Sequence, residues 1–231
     1  VSAHFNGKGH SWSGPKIIVS TSDEPGEGEH KIFQHIRDNN CHSEQTTVIY
    51  GLDADLIMLS INHIPHCKQI YLFRETPEFI KSINSSLEPN DNYILNIPLL
   101  ADNIVVEMDS VTNASTEHRN RRLYDYIFLC FLLGNDFMPH FPAVNIRTGG
   151  IDKLMSHYRA TMGKSDRFIT KGDTIVWKNF RLLIQSLAKC ESDYIIAETI
   201  KRDKHEHRFT NQDVSTPEKA YDKFQRIPCY E

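Results

Sequence analysis

The chain has 231 residues, of which 39% are hydrophobic and 24% are charged, a balance that supports a folded core and excludes a wholly disordered chain. Its formal net charge of -4 excludes a globally basic nucleic-acid coat protein, so any contact with nucleic acid must come from local basic patches. The longest strongly apolar stretch, residues 126–133, is too short to span a bilayer, and we find no signal-peptide pattern. No membrane partner is therefore expected.

The cysteines indicate the redox environment. They are odd in number and widely spaced, without a CxxC pair: Cys41, Cys67, Cys130, Cys190 and Cys229. A disulfide scaffold uses paired cysteines in an oxidising compartment, so this pattern favours an intracellular, reducing compartment. The pattern does not distinguish the cytoplasm from the nucleus.

Predicted strands and helices alternate in the first third of the chain. The strands are expected at residues 16–20, 46–50 and 69–74. The first helix is capped by Ser22 or Asp23, has Pro25 in its first turn and ends at Asn39, and the second helix spans residues 54–61. This order predicts parallel strands joined by crossover helices, and hence an α/β fold.

Two pairs of acids follow predicted strands in this region. Glu27 and Glu29 come after the first strand, and Asp53 and Asp55 come directly after the second. Because sites form at the carboxyl ends of parallel strands, both pairs are expected to face the same crevice. Acids held together repel unless a cation neutralises them. The natural occupant is therefore one or two hard divalent ions, which can drive the hydrolysis of a phosphate ester.

The rest of the chain is expected to be mainly helical. A strand is predicted at residues 93–97, helices at 99–108, 121–133, 151–158 and 176–195, a polar loop at 109–120, and a poorly ordered basic tail from about residue 200. Gly134 and Asn135 can close the helix before them, which delivers a fifth acid, Asp136, at the exposed end of that helix. If the fold brings the three acid blocks together, all five acids are candidate metal ligands.

Three blocks of sequence resemble the 5′→3′ exoribonuclease (XRN) family. They are residues 23–32 (Asp-Glu-Pro-Gly-Glu-Gly-Glu-His-Lys-Ile), 50–57 (Tyr-Gly-Leu-Asp-Ala-Asp-Leu-Ile) and 128–140 (Phe-Leu-Cys-Phe-Leu-Leu-Gly-Asn-Asp-Phe-Met-Pro-His). Their order and approximate spacing also fit the family, and the resemblance extends over about residues 15–195. Three long blocks in the family's order are a far more specific signal than a lone pair of acids.

The resemblance implies a fold, an activity and a cofactor. The fold is a PIN/flap-nuclease-like core at residues 1–150, with a twisted, mainly parallel sheet flanked by helices, followed by an α-helical extension at residues 151–231 with a flexible tail. The activity is hydrolysis of RNA that bears a 5′-monophosphate to 5′-mononucleotides, with Mg²⁺ or Mn²⁺. Carried over by position, the metal ligands and catalytic residues are Glu27, Glu29, Asp53, Asp55 and Asp136. Two ions would promote in-line attack of water on the terminal phosphodiester.

One part of the family pattern is not matched ahead of Val19. There the family has a segment with two further metal-binding aspartates and with the basic residues that grip the 5′-phosphate, whereas residues 1–18 contain no acid. We therefore expect the chain to represent the later half of the catalytic region, as a fragment, a split enzyme or an inactive remnant. A second chain or an upstream segment would complete the active site.

Two other functions compete with this interpretation. Flap-type DNA nucleases use similar acid spacing, but after the last acid they carry a Gly-rich helix–hairpin–helix. Here residues 139–142, Pro-His-Phe-Pro, follow instead, which favours the exoribonuclease. The second alternative is a catalytically incomplete RNA-binding or scaffold protein that retains the fold.

Several polar and aromatic residues of the predicted helix at 121–133 have more than one interpretation. Asp125 either supports the metal ligands or, as we favour, is a surface acid of its helix. Arg119, Arg121 and Arg122 either contact phosphates or form a solvated helix start. Phe131 is expected in the core, where truncation to alanine would cost roughly 3–5 kcal/mol.

The remaining clusters are given ordinary interpretations. His63, His66 and Cys67 lack a fourth ligand at zinc-like spacing, as do His205 and His207, so loop positions are favoured over metal sites. The basic residues between 201 and 208 are expected to form a solvated face, with contact to an RNA backbone as the alternative.

Overall fold

A computed structural model describes residues 16–74, 80–89, 91–109, 115–135, 137–210 and 216–219 of the chain. These residues form a mixed α/β structure of helices and two small sheets. The chain divides into two compact units, Val1–Leu100 and Ala101–Glu231. The division into a nuclease core and a helical extension at residue 150 stays a prediction. Within the described ranges, no helix is both long enough and apolar enough to cross a membrane.

The first unit contains a three-stranded sheet and short helices. In chain order the elements are α1 (Gly28–Asp38), β1 (Thr46–Tyr50), α2 (Asp55–Asn62), β2 (Gln69–Arg74), α3 (Ile80–Ile83) and β3 (Tyr93–Asn96), followed by α4 (Ile97–Met108), which continues into the second unit. Short 3₁₀ turns at Asn40–Ser43 and Ile64–His66 precede β1 and β2. The predicted strands at 46–50, 69–74 and 93–97 and the helix at 54–61 are confirmed.

The strands of this sheet are arranged in the order β1-β2-β3. β1 and β2 are parallel, with Thr46 opposite Gln69 and Tyr50 opposite Phe73, as expected for strands joined by a crossover helix. β2 and β3 are antiparallel. The described sheet is therefore mixed rather than mainly parallel, and the PIN-like arrangement stays a prediction.

The predicted strand at residues 16–20 is wrong. These residues have irregular backbone and are exposed, with Ile17 and Ile18 at 47% and 59%. A β-branched run favours an extended backbone, but a strand also needs a partner, and this segment pairs with none of the described strands. The first helix also begins later than expected, at Gly28, because residues 21–26 form turns that end at Gly26 with a φ of +101°.

The second unit is mainly helical. After α4 it contains α5 (Thr116–Phe131), α6 (Gly150–Thr161), a short hairpin of β4 (Thr170–Lys171) and β5 (Thr174–Ile175), α7 (Trp177–Ala188) and α8 (Glu191–Thr210). The helix predicted from Arg121 begins earlier, because the Ser115 hydroxyl caps it by accepting from the His118 backbone N–H at 3.2 Å.

The predicted helix at 176–195 is in fact two helices. Lys189 and Cys190 separate α7 from α8, and they interrupt the helix without a glycine or a proline. The apolar periodicity therefore gave no sign of the break. Residues 200–210, expected to be poorly ordered, continue α8. The rest of the predicted tail, at 211–215 and 220–231, lies outside the described residues.

Buried charges organise the second unit, contrary to two sequence interpretations. Arg122 is fully buried rather than solvated. Its guanidinium donates to the Asp109 carboxylate at 2.8 Å and to the Tyr158 hydroxyl at 2.7 Å. It also donates to three carbonyl oxygens, those of Met162 at 3.2 Å, Ser165 at 2.6 Å and Arg167 at 2.7 Å. Asp125 is also fully buried and is not a surface acid.

Asp125 accepts hydrogen bonds from the Tyr158 hydroxyl, from the backbone N–H groups of Ile169 and Thr170 at 2.8 and 2.7 Å, and from the Thr170 hydroxyl at 2.6 Å. These bonds attach the segment that leads into the β4–β5 hairpin to α5. Phe131, expected in the core, is the last residue of α5 and is 42% exposed.

Candidate metal centre

The first acid pair lies at the start of α1. Glu27 occupies the N-cap position with an extended backbone, and Glu29 lies in the first turn. The preceding loop is fastened to this helix, because the Lys31 ammonium donates to the Thr21 carbonyl at 3.0 Å. Negative charge is favoured at a helix amino end, where backbone N–H groups lack intrahelical partners. The fold therefore tolerates both acids here.

The second acid pair lies in the turn between β1 and α2. Asp55 is the first residue of α2, and its backbone N–H donates to the Asp53 carboxylate at 3.2 Å. This turn is fixed to the neighbouring strand by two hydrogen bonds. The Gly51 N–H donates to the Phe73 carbonyl at 3.2 Å, and the Arg74 guanidinium donates to the Leu52 carbonyl at 2.9 Å.

Gly51 occupies a closely packed position in this turn. A Cβ atom at this position would lie 2.3 Å from Leu56 Cδ1, and Leu56 is buried. A side chain would therefore force the Leu56 side chain to move within the core or displace the turn that carries Asp53. Arg74 was not singled out in the sequence, whereas Gly51 and Leu52 belong to one of the three acid blocks. The glycine next to two acids was the signal for the tight turn.

The structure brings the two acid pairs into electrostatic contact. The ligand atoms of Glu27, Glu29 and His30 all lie within 4.8 Å of one another, and His30 Nε2 lies 3.5 Å from Glu27 Oε2. The pKa of Glu29 is raised, first by burial and then by the negative charges of Asp53, Glu27 and Asp55, against a smaller opposite effect of His30. Asp53 and Asp55 do not belong to this close group, so the expectation that both pairs face one crevice stays a prediction.

The donor set suits a hard divalent ion. Carboxylate oxygens are the preferred protein ligands of Mg²⁺ and Mn²⁺, and an imidazole is also acceptable to Mn²⁺. A cation among these acids would remove the repulsion that raises the pKa of Glu29. His30 was missed as a candidate ligand, although its position three residues after Glu27 at a helix start places both side chains on the same side.

Asp136 itself lies outside the described residues, so its place in this centre stays a prediction. Its neighbours belong to the second unit and form a tight turn after α5. Gly134 has a φ of +83°, and the Asn135 side-chain oxygen accepts from the backbone N–H groups of Phe137 and Met138, both at 2.9 Å. This turn agrees with the prediction that Gly134 and Asn135 close the helix.

The histidine cluster near residue 63 is not arranged as a metal site. His63 is buried, and both of its ring nitrogens lie within hydrogen-bonding distance of protein atoms, in Leu59 and Arg37. Within the part of the chain that the structure describes, one group of three potential metal ligands has its ligand atoms within 4.8 Å of one another. This group is Glu27, Glu29 and His30. His205 and His207 have no described side chains.

Two family models match the chain. The model described as the XRN 5′-3′ exonuclease N-terminus matches residues 3–76, and the model described as the Xrn1 helical domain matches residues 117–228. The first match contains both acid pairs of the candidate centre. The second contains Asp136 and the buried Arg122 and Asp125.

Curated proteins named 5′-3′ exoribonuclease 2 are similar to the chain. The protein of Aspergillus oryzae is 33% identical over 217 residues, that of Kluyveromyces lactis 31% over 226, and that of Arabidopsis thaliana 29% over 215. The aligned segments cover 78%, 85% and 78% of the chain, respectively. They cover 21%, 22% and 21% of the relatives, so the chain spans about a fifth of the length of the proteins it matches.

Proposed function

The chain belongs to the XRN family of 5′→3′ exonucleases, as its three sequence blocks predicted, and we propose that it forms part of the catalytic region of a 5′→3′ exoribonuclease. The substrate is RNA with a 5′-monophosphate, and the products are 5′-mononucleotides. The reaction depends on Mg²⁺ or Mn²⁺. The relatives named above carry the name of this activity.

The observation that carries the proposal is the repulsion among four acids from two sequence blocks. Glu27 and Glu29 come from the start of α1, and Asp53 and Asp55 come from the turn before α2. Even so, after burial, the charges of the other three acids raise the pKa of Glu29. Partly exposed acids that repel one another are suited to holding a divalent cation.

Each group in the proposed site has a separate role. Glu27, Glu29, Asp53 and Asp55 hold the metal through carboxylate oxygens, and Asp136 is proposed as a further ligand. When bound, divalent ions lower the pKa of a water molecule and stabilise the charge on the phosphate and the leaving oxygen. Arg74 does not contact the metal in this scheme, because it keeps the turn before Asp53 in place.

We further propose that the site is completed by residues outside this chain. An upstream segment of a longer protein, or a second chain, would supply two more aspartates and the basic groups that bind the 5′-phosphate. The selection of the 5′ end would then depend on that segment, whereas this chain supplies most of the metal ligands.

The proposal is tested first by binding of Mn²⁺ alone. Calorimetry on the wild-type chain should detect saturable binding, and Asp53→Asn/Asp55→Asn should abolish it. A control with Asp38→Asn/Glu44→Gln removes two exposed charges of the same unit and should bind like the wild type. Equal binding by the wild type and by Asp53→Asn/Asp55→Asn would overturn the assignment of the metal site.

Cleavage is then tested on RNA in the longer protein that contains this chain. Single-stranded RNA with a 5′-phosphate should be degraded to mononucleotides, and the same RNA with a 5′-hydroxyl should resist. Preference for a DNA flap would favour the flap-type nuclease instead. Metal binding without cleavage of either substrate would favour the scaffold.

A further inference from the structure

The two helices that carry the acid pairs are also joined at their opposite ends. α1 starts beside Glu27 and has Arg37 in its last turn, whereas α2 starts at Asp55 and ends just before His63. The Arg37 Nη1 atom lies 2.7 Å from His63 Nε2. A direct side-chain contact therefore links the carboxyl ends of two helices whose amino ends carry the acids.

His63 accepts this hydrogen bond as a neutral ring. Its Nδ1 atom lies 2.7 Å from the Leu59 carbonyl oxygen, which can only accept, so Nδ1 carries the proton. In the neutral ring, Nε2 then has a free lone pair to which Arg37 donates. Burial, and then the charges of Arg37 and His66, lower the pKa of His63, against the opposite effect of its bond to Leu59.

Further side chains support the contact on both sides. The His63 ring packs against Phe33 with centroids 4.6 Å apart, and both residues are buried at 4% and 1% exposure. The second nitrogen of the Arg37 guanidinium, Nη2, donates to the Gln34 side-chain oxygen at 2.6 Å. We call these residues, Phe33, Gln34, Arg37, Leu59 and His63, the helix clamp.

The helix clamp opposes the repulsion at the acid ends. The charges of Asp53 and Asp55 act on Glu29, and without a cation this repulsion favours a wider spacing of the amino ends of α1 and α2. The hydrogen bond between Arg37 and His63 and the packing on Phe33 hold the other ends together. The spacing of the acid pairs is thus set at a distance from the acids.

We propose that Arg37 and His63 are positioning residues for cation binding. Their hydrogen bond holds α1 and α2 at the spacing at which both acid pairs bind the same divalent metal centre. This inference rests on the proposed function, since it assumes that the acids bind a metal. Neither residue contacts the metal, so their effect is on the affinity and not on the donor set.

The test measures the affinity of the full chain for Mn²⁺ by calorimetry at pH 7.5 and 10 °C. His63→Phe keeps an aromatic ring against Phe33 but removes the acceptor, and it should weaken binding about 10-fold or more, as loss of an orienting residue does elsewhere. His63→Gln places an amide oxygen close to the position of Nε2 and should bind within about 2-fold of the wild type. His66→Phe is the matched control and should bind like the wild type.

Circular dichroism at the same temperature establishes that each variant is folded, so a loss of stability alone does not alter the affinity of the folded protein. If His63→Phe is unfolded at 10 °C, Arg37→Met replaces it, because methionine keeps the apolar stem and loses the donor. Wild-type affinity in the folded variant would overturn the positioning role and leave the proposed function intact. Absence of Mn²⁺ binding in the wild type would overturn both.

Discussion

The two units of the chain treat their acids in opposite ways. In the second unit, Asp125 is fully buried and accepts four hydrogen bonds. In the first unit, Glu29 is only partly buried, and its pKa is raised by this burial and then by three neighbouring acids. A satisfied buried acid stabilises one particular arrangement of the chain, whereas acids that repel one another cost stability until a cation binds. The difference separates an acid that stabilises the architecture from the acids that we propose as metal ligands.

The same distinction applies to the arginines. Arg122 is enclosed by one carboxylate, one hydroxyl and three carbonyl oxygens, which together satisfy its planar fork of donors. Arg74 uses one donor to fix the turn that carries an acid pair. A buried arginine with this many partners is part of the core, even though its sequence neighbours suggested a phosphate contact.

Replacing the buried acid of the second unit by its amide gives the largest expected effect. Asp125→Asn should lower the free energy of unfolding by about 3–5 kcal/mol, because an NH₂ group would face donors that now point at a carboxylate oxygen. Urea denaturation measures this. Asp203→Asn, at an exposed position in α8, is the control and should change stability by less than about 0.5 kcal/mol. A similarly small change for Asp125→Asn would remove the contrast between the units.

A smaller effect is expected for the turn that carries Asp53 and Asp55. Gly51→Ala should destabilise by about 1–3 kcal/mol, because the new methyl group would press on buried Leu56. Gly28→Ala is the matched control: its Cβ would meet nothing within 4 Å, and alanine favours a helix. In thermal denaturation, the melting temperature should therefore fall for Gly51→Ala and rise for Gly28→Ala. An unchanged Gly51→Ala would show that the turn is looser than the structure indicates.

The pH dependence of stability should reveal the helix clamp. The pKa of His63 is lowered in the folded state. At pH values below the ordinary histidine pKa of about 6.5, the unfolded chain therefore binds more protons than the folded chain does. The contribution of neutral His63 to the free energy of unfolding is therefore present above about pH 6.5. It is lost as the pH falls toward the pKa of His63 in the folded state. Urea denaturation measures the free energy of unfolding at pH 7.5 and at pH 5.5. The difference between these two free energies should be smaller for His63→Gln than for the wild type. Equal differences would contradict a neutral, buried His63.

The smallest expected effect is a gain in stability. Asp53→Asn/Asp55→Asn removes like charges around Glu29, so without metal it should raise the free energy of unfolding at pH 7 by up to about 1 kcal/mol. At pH 3, where carboxyl groups are mostly protonated, the gain should vanish. The pKa of Glu29, followed by NMR, should fall toward its ordinary value in this variant. A loss of stability at pH 7 would mean that the two aspartates are architectural after all.

The phenylalanine at the end of α5 shows how exposure changes a prediction. From sequence, Phe131→Ala was expected to cost roughly 3–5 kcal/mol, but the ring is 42% exposed. The periodicity of an apolar helix shows that one face is buried without showing how far the covering extends along the helix. The structure therefore lowers the expected cost to about 1 kcal/mol.

Local patterns predicted the elements that depend on local sequence. The alternation in Thr46–Tyr50 and the run Gln69–Arg74 predicted their strands, and the Gly-Leu-Asp turn predicted where α2 begins. The segment 16–20 has an equally good strand pattern but lacks a partner among the described strands. Strand formation depends on pairing with distant residues, which a single sequence does not reveal.

The acid pairs could be predicted as a site because each pair is contained in a short block with glycine. Asp125 could not be assigned in this way, because its hydrogen-bond partners lie between 33 and 45 residues further along the chain. The same applies to His63, whose partner Arg37 is 26 residues away. A lone polar residue in an apolar helix gives no indication of which distant groups will satisfy it.

The long reach of Arg122 has a consequence for the order of events during synthesis. Its partners Tyr158, Met162 and Arg167 follow 36, 40 and 45 residues later, so at about 5–20 residues per second they emerge from the ribosome several seconds after it. Until then the guanidinium must stay in water, and the apolar side chains around it cannot pack into a core. The second unit is therefore expected to assemble late and in one step, when the segment before β4 becomes available.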